Sequence, residues 1–318
     1  MFGKMMNSYY YGNSGKGDYR KEDLPKNRWQ LFWEMLRVRF SGLMRLNLMY
    51  AVVWIPVILV TIFSAFALTS TQMRLNEVGE WVQVPAAEAR ILMGDVMQIF
   101  FLLLIPTVAI TGPATAGVSY VTRNWARDEH AFIWSDFKDA VKENWKQGLG
   151  ISSITAVMPF VLYVCWMFYG EMARESPLFM VPQVLATMMG LVWYLALIYM
   201  YPLMVSYKLR FRDLLRNGLL LAIGRLPHTL GLRLLSILPC AIALAVTLFV
   251  GQEHWVVLGM VLYYLLFGFY LSRFTYASYA NAVFDRFINS RIQGAIINRG
   301  LSQEEDDEDE YDDDEDAE

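Results

Sequence analysis

Residues 105–127 read IPTVAITGPATAGVSYVTRNWAR, and the reading of this stretch decides the fold. An apolar run reaches Gly112-Pro113, continues through the small residues Ala114, Thr115, Ala116 and Gly117, and ends in Ser119-Tyr120 and a basic, Trp-containing exit. Small side chains recur every three or four positions, at Ala109, Gly112/Pro113 and Ala116/Gly117. That spacing lets a second helix backbone come close, which is how helices associate in lipid, where apolarity alone favours no partner. The stretch therefore reads as a membrane helix with a packing face at Gly112, Pro113, Thr115, Ala116, Gly117 and Ser119. A second reading of the same residues stays open. Pro113 frees one or two backbone carbonyls, and these could line a polar cavity as the broken helices of transporters do.

Outward from this stretch, the chain is 56% apolar and 18% charged. Soluble domains run at about 45–50% and 25%, so the composition is that of a polytopic membrane protein. The net charge of −4 conceals an asymmetry. Thirteen of the fifteen residues from Glu304 to Glu318 are acidic, which leaves +9 on the rest. Cys165 and Cys240 each sit in an apolar run and read as inert packing residues rather than a disulfide framework. Residues 1–25 read as a flexible polar arm. They lack the apolar core of a cleavable signal peptide, and YYYGNSGKGD lacks the ending and the preceding strand of a phosphate-binding loop.

A bilayer core about 30 Å thick needs roughly 20 apolar helical residues. Six runs qualify, near 47–68, 96–121, 149–169, 184–206, 233–251 and 255–272, within a membrane domain spanning 26–300. Of 27 Lys and Arg residues, only Arg74, Arg90 and Arg174 fall in the loops after the first and third runs. The other 24 lie on the amino-terminal arm, near 122–148 and 207–232, or after the last run. Positive residues are retained on the cytoplasmic side, so both termini are expected to be cytoplasmic.

The expected fold is all-α, a six-span membrane bundle built of three related helical hairpins, each preceded by an amphipathic interfacial helix. Odd-numbered spans carry Pro56, Pro159 and Pro239. Even-numbered spans end in Ser119-Tyr120, Ser206-Tyr207 and Ser278-Tyr279, with hydroxyls expected at the wet interface. The amphipathic segments lie at 26–46, 132–149 and 211–226. In the first, Trp29, Trp33, Leu36, Phe40 and Leu43 share a face suited to the headgroup layer. The outer segment 69–95 has the length of a partly helical cap. The tail 301–318 is expected to be disordered, lying over the chain's own basic loops, binding a basic partner, or keeping the terminus solvated.

Catalytic signatures are missing. His130, His228 and His254 are scattered, and no HExxH, GxSxG or complete Walker motif occurs. Asp95 and Arg273 mark span ends, where snorkelling accounts for either. No catalytic residue, metal or cofactor is expected, and no nucleic acid.

GPATAGVSYVTRNWARDE, followed by WSDFKDAVKENWKQGL, resembles the core of the YesL-type family of bacterial membrane proteins, the domain-of-unknown-function class 624, and RLNLMYAVVWIP is similar to that family's first span. The resemblance implies a multi-pass protein of the bacterial plasma membrane, with company among carbohydrate uptake systems, and it carries no catalytic residue over. The function expected first is a non-enzymatic accessory or regulatory component of carbohydrate uptake, bound to a membrane transporter complex within the lipid bilayer. The alternatives are a permease for a sugar or other small solute, with a polar path near Thr107, Thr111, Thr115 and Ser119, and a membrane enzyme acting on lipid or glycan through His130, Asp136 and His228.

Overall fold

Backbone polar groups in hydrocarbon must be satisfied within the chain, so apolar runs of this length form helices. A computed structural model describes residues 24–75, 80–250 and 253–302. The arm up to residue 23 and the acidic tail from residue 303 lie outside the described residues. The elements are α1 (Arg28–Val38), α2 (Phe40–Ser70), β1 (Met73–Leu75), β2 (Trp81–Gln83), α3 (Ala86–Ala109), α4 (Thr111–Trp125), α5 (Ile133–Met172), α6 (Met180–Ser206), α7 (Phe211–Gly224), α8 (Leu226–Val250), α9 (Glu253–Tyr263) and α10 (Phe269–Phe287). A π-helical turn, Tyr264–Gly268, joins the last two.

Six stretches are long and apolar enough to cross a membrane: Phe40–Ser70, Ala86–Ala109, Ile133–Met172, Pro177–Ser206, Leu226–Val250 and Leu258–Arg291. The chain is a multi-pass, helical membrane protein, with six such segments among the described residues. Burial runs against hydropathy. α3 is strongly apolar and buries none of its residues, whereas twelve of the fifteen residues of the less apolar α4 are buried. Lipid is as apolar as leucine, so close contact goes to the helix whose small side chains permit it. α4 packs on α2, α5, α6 and α10 and divides two clusters. Ala116 joins one with Ile151, Tyr199 and Phe284, while Ala114, Val118 and Trp125 join the other with Leu43, Tyr50 and Phe274.

Three features differ from the sequence expectation. The run 96–121 is two helices, separated at Ile110, because Pro113 cannot donate to the Ala109 carbonyl four residues back. The amphipathic segment 132–149 is continuous with its span in the 40-residue α5. At 1.5 Å per residue that helix is about 60 Å long, twice the apolar thickness of a bilayer, so one end must project. Breaks do precede the other two hairpins, at Arg39 and at Arg225, the latter just before Pro227. The outer segment holds a two-stranded antiparallel hairpin, Arg74 opposite Val82, before α3 begins. Pro56, Pro159 and Pro239 lie inside their helices as expected, and Pro106 and Pro202 lie inside α3 and α6 as well.

On α1, Leu31 and Met35 are buried while Trp29 and Trp33 point outward, which leaves an aromatic face free for the headgroup layer. Of the Ser-Tyr pairs, the Tyr279 hydroxyl is buried with no hydrogen-bond partner among the described residues, its ring near Tyr199, so it does not supply the wet tip expected of it.

Candidate functional site

The small residues of α4 form a seam against α5. A Cβ built on Gly112 would lie 2.1 Å from the Gly148 carbonyl oxygen, and one on Gly148 would lie 3.2 Å from the Pro113 Cα. One turn on, a Cβ at Gly117 would meet the Phe137 ring at 2.6 Å. At all three glycines the added Cβ would fall under 3.0 Å from a backbone atom of the facing helix, so no other residue fits without moving a helix. The Ser152 hydroxyl donates to the Ala109 carbonyl at 2.6 Å, which satisfies the oxygen that Pro113 frees. Thr115 pairs with the Tyr50 hydroxyl at 2.7 Å and also reaches the Thr111 carbonyl at 2.8 Å. Ala116 and Ser119 are buried beside them. Of the six sequence-selected residues, Gly112, Pro113 and Gly117 meet α5, Thr115 meets Tyr50 of α2, and Ala116 and Ser119 are buried on the same helix. Thr107 and Thr111 bond back to carbonyls of their own helix turns, at Leu103 and Val108.

An open groove of about 460 Å³ lies elsewhere, between α3 and α5, lined by Gly94, Asp95, Gln98, Tyr163, Val164, Met167 and Phe168. None of the six seam residues lines it. Tyr163 donates across it to the Gly94 carbonyl at 3.3 Å.

Basic residues and their partners tie the helix ends together. Glu129 pairs with Arg127 at 3.2 Å, Arg299 at 3.3 Å and Arg123 at 3.7 Å. Burial, then the neighbouring Arg127, pulls the Arg123 guanidinium below its ordinary range, against Glu129. Asp285 binds Arg28 and accepts from Asn289 and from the Asn298 backbone. Tyr207 donates to Asn289 at 2.7 Å, and burial with Asp285 nearby pushes its phenol up to about 12. Of the residues considered for catalysis, His130 and His228 are exposed, and Asp136 accepts from the Phe132 backbone at the start of α5. Among the described residues no three His, Cys, Asp or Glu side chains are grouped to hold a metal.

Two arginines have roles that the sequence reading does not give: Arg233 is not singled out there, and Arg273 reads only as a span-end marker. Arg233 of α8 is only 8% exposed; it donates to the Tyr276 hydroxyl at 3.0 Å and to the Tyr194 carbonyl. Its guanidinium stacks 3.9 Å over Tyr194 and lies 5.0 Å from the Tyr276 ring. Arg273 of α10 turns inward, not out to the interface as snorkelling would have it. It sits 3.4 Å from the Tyr50 hydroxyl and 5.5 Å from the Tyr201 ring. Neither makes an ion pair among the described residues. An arginine held in hydrocarbon costs about 2.5–3.5 kcal/mol on insertion scales, and each aromatic face offsets about 0.5–2 kcal/mol of that. The tyrosines therefore lower the cost without neutralising the charge. In the sequence both residues count as markers of the basic side. The only sign of an inward role is Tyr276, one turn past Arg273.

No curated protein and no solved structure matches the chain. Residues 92–166 match a family model described as "Protein of unknown function, DUF624". The matched segment holds most of α3, all of α4 and the seam partners Phe137, Gly148 and Ser152. Over residues 92–166 the chain is similar to the DUF624 family, and the resemblance read from GPATAGVSYVTRNWARDE is borne out there.

Proposed function

We propose that this chain is a non-enzymatic accessory or regulatory component of a bacterial plasma membrane, binding a transporter complex that takes up carbohydrate. One observation carries the reading. Polar groups on and around the central helix are spent on holding helices together, as Thr115 of α4 on Tyr50 of α2 and Ser152 of α5 on the Ala109 carbonyl of α3 illustrate, which supports a structural use over work on a solute. A rigid body of this kind suits a scaffold whose partners supply the activity. The carbohydrate connection comes from what the family resemblance implies. Both termini are assigned to the cytoplasm on the positive-inside count. Affinity purification of the full chain from membranes in mild detergent tests the proposal. A transporter subunit recovered in a fixed ratio is the expected result. Recovery of the protein alone at several detergent strengths would overturn it.

The groove at Asp95 and Gln98 favours a second reading, a permease whose solute enters between α3 and α5. Uptake of a sugar by vesicles containing only this protein, reduced by Asp95→Asn, would establish it. Vesicles that take up none of a panel of sugars and oligosaccharides would remove it.

A further inference from the structure

We propose that Arg233 and Arg273 form a binding site for an oxyanion of the phosphate class, set among α2, α6, α8 and α10. The two arginines share Tyr276. Arg233 of α8 donates to its hydroxyl at 3.0 Å, and Arg273, one turn earlier on α10, interacts with it electrostatically. Tyr194 faces Arg233, and Tyr50 and Tyr201 face Arg273. Arginine does not shed its proton in a protein, so the cluster carries two positive charges, and no carboxylate among the described residues pairs with either. A second, independent observation is that the Arg233 Nε is buried with no hydrogen-bond partner among the described residues, a state it shares with the Nε of Arg39, Arg123, Arg127 and Arg225 nearer the helix ends. A nine-tenths-buried cation with an idle donor, joined through Tyr276 to a second cation that no described carboxylate pairs, has the chemistry to hold an anion.

The chemistry narrows the class. A guanidinium offers its donors as a planar fork that matches two oxygens of one anion. Two forks on separate helices call for more oxygens than a single carboxylate carries, and a phosphate supplies them. A carboxylate on a partner's membrane helix fits less well, because Arg233 is covered by Tyr194 and Tyr276 and leaves no room for a second backbone. Either a lipid headgroup or a free phosphate has the required chemistry. The site is independent of which complex the protein serves.

The test uses the full chain, purified and delipidated in neutral detergent. Its thermal unfolding is followed while phosphatidylglycerol, phosphatidylcholine or inorganic phosphate is added. The parent and an Arg74→Gln control, which alters an exposed arginine, are expected to be stabilised by phosphatidylglycerol or by inorganic phosphate. A response to the lipid alone assigns a headgroup, and a response to phosphate alone assigns a free phosphate. Arg233→Gln/Arg273→Gln is expected to lose the response. Should that variant not fold, Arg233→Lys keeps the charge but not the fork, and its half-maximal ligand concentration should rise about tenfold. The proposal is overturned if the parent responds to neither phosphatidylglycerol nor phosphate, if phosphatidylcholine matches phosphatidylglycerol and phosphate has no effect, or if the arginine variants respond as the parent does. A second membrane protein that copurifies with the parent in a fixed ratio and is lost with both arginines would assign them to a partner's carboxylate and overturn it as well.

Discussion

Ser152 of α5 donates its hydroxyl to the Ala109 carbonyl at 2.6 Å, the oxygen left without its helical donor by Pro113. The proline that breaks the helix and the serine that repairs the break sit on neighbouring helices, so each makes sense only with the other. Ser152→Ala should destabilise the protein by about 1–3 kcal/mol, the cost of an unsatisfied buried carbonyl. Adding Pro113→Ala restores a backbone N–H to that oxygen, so the double variant should recover part of the loss. A double-mutant cycle of unfolding in detergent measures it, with a coupling of about 1 kcal/mol expected. Strict additivity would sever the link.

Gly112 and Gly231 should respond oppositely to alanine. The new Cβ at Gly112 would fall 2.1 Å from a backbone oxygen, which cannot retreat alone, and overpacking of this kind costs about 1–3 kcal/mol. At Gly231, inside α8, nothing lies within 4 Å. There alanine gains helix propensity of up to about 1 kcal/mol. Unfolding midpoints of the two variants, compared with the parent, decide the point, and a neutral Gly112→Ala would mean that the seam is not tight.

Asn47 secures the π-helical turn. Its amide nitrogen donates to the Tyr264 and Leu265 carbonyls at 2.9 and 2.6 Å, and its oxygen accepts from the Tyr270 N–H at 2.9 Å. Turns of this kind leave backbone groups unpaired and recur at functional positions, and here the turn precedes Arg273 on the same helix. Asn47→Leu should cost about 2 kcal/mol or more, several buried groups losing partners at once. Equal stability of parent and variant in a detergent unfolding series would show that the turn holds itself.

Much of this was legible in the sequence and some was not, for reasons that can be named. Length, hydropathy and the placement of basic residues sufficed for six apolar helices. The small residues around Gly112 marked the central helix. Ser152 was not legible, because a serine in an apolar run has many uses until its neighbour across the helix contact is known. Arg233 and Arg273 escaped because an arginine near a span end looks the same whether it turns outward or in. The continuity of α5 was hidden by Gly148 and Gly150, which look like breaks but remain helical where Gly112 and Phe211 press on them.

Asp128 predicts a pH effect. Burial raises its carboxyl above the ordinary value, Glu34 adds to this, and Arg39 opposes it. A group with a raised folded-state pKa stabilises the fold while protonated, and that contribution is lost as pH rises through the folded value. Asp128→Asn stays neutral and keeps the left-handed backbone, φ 54°, that asparagine tolerates. The variant should match the parent near pH 3 and unfold at a higher temperature at pH 7. A parent more stable than the variant at pH 7 would mean that the attraction of Arg39 outweighs burial.

The claim beneath all of these is that the α4 seam is a dry contact between helices rather than the wall of an aqueous path. Thr115→Cys and Ser119→Cys, made one at a time with Cys165 and Cys240 replaced, can be exposed in sealed vesicles to a membrane-impermeant maleimide from each side. Trp134→Cys, at a position 67% exposed, serves as the reactive control. The account predicts no labelling at Thr115 or Ser119 from either side until the protein is denatured, and rapid labelling of both in the folded protein would contradict it.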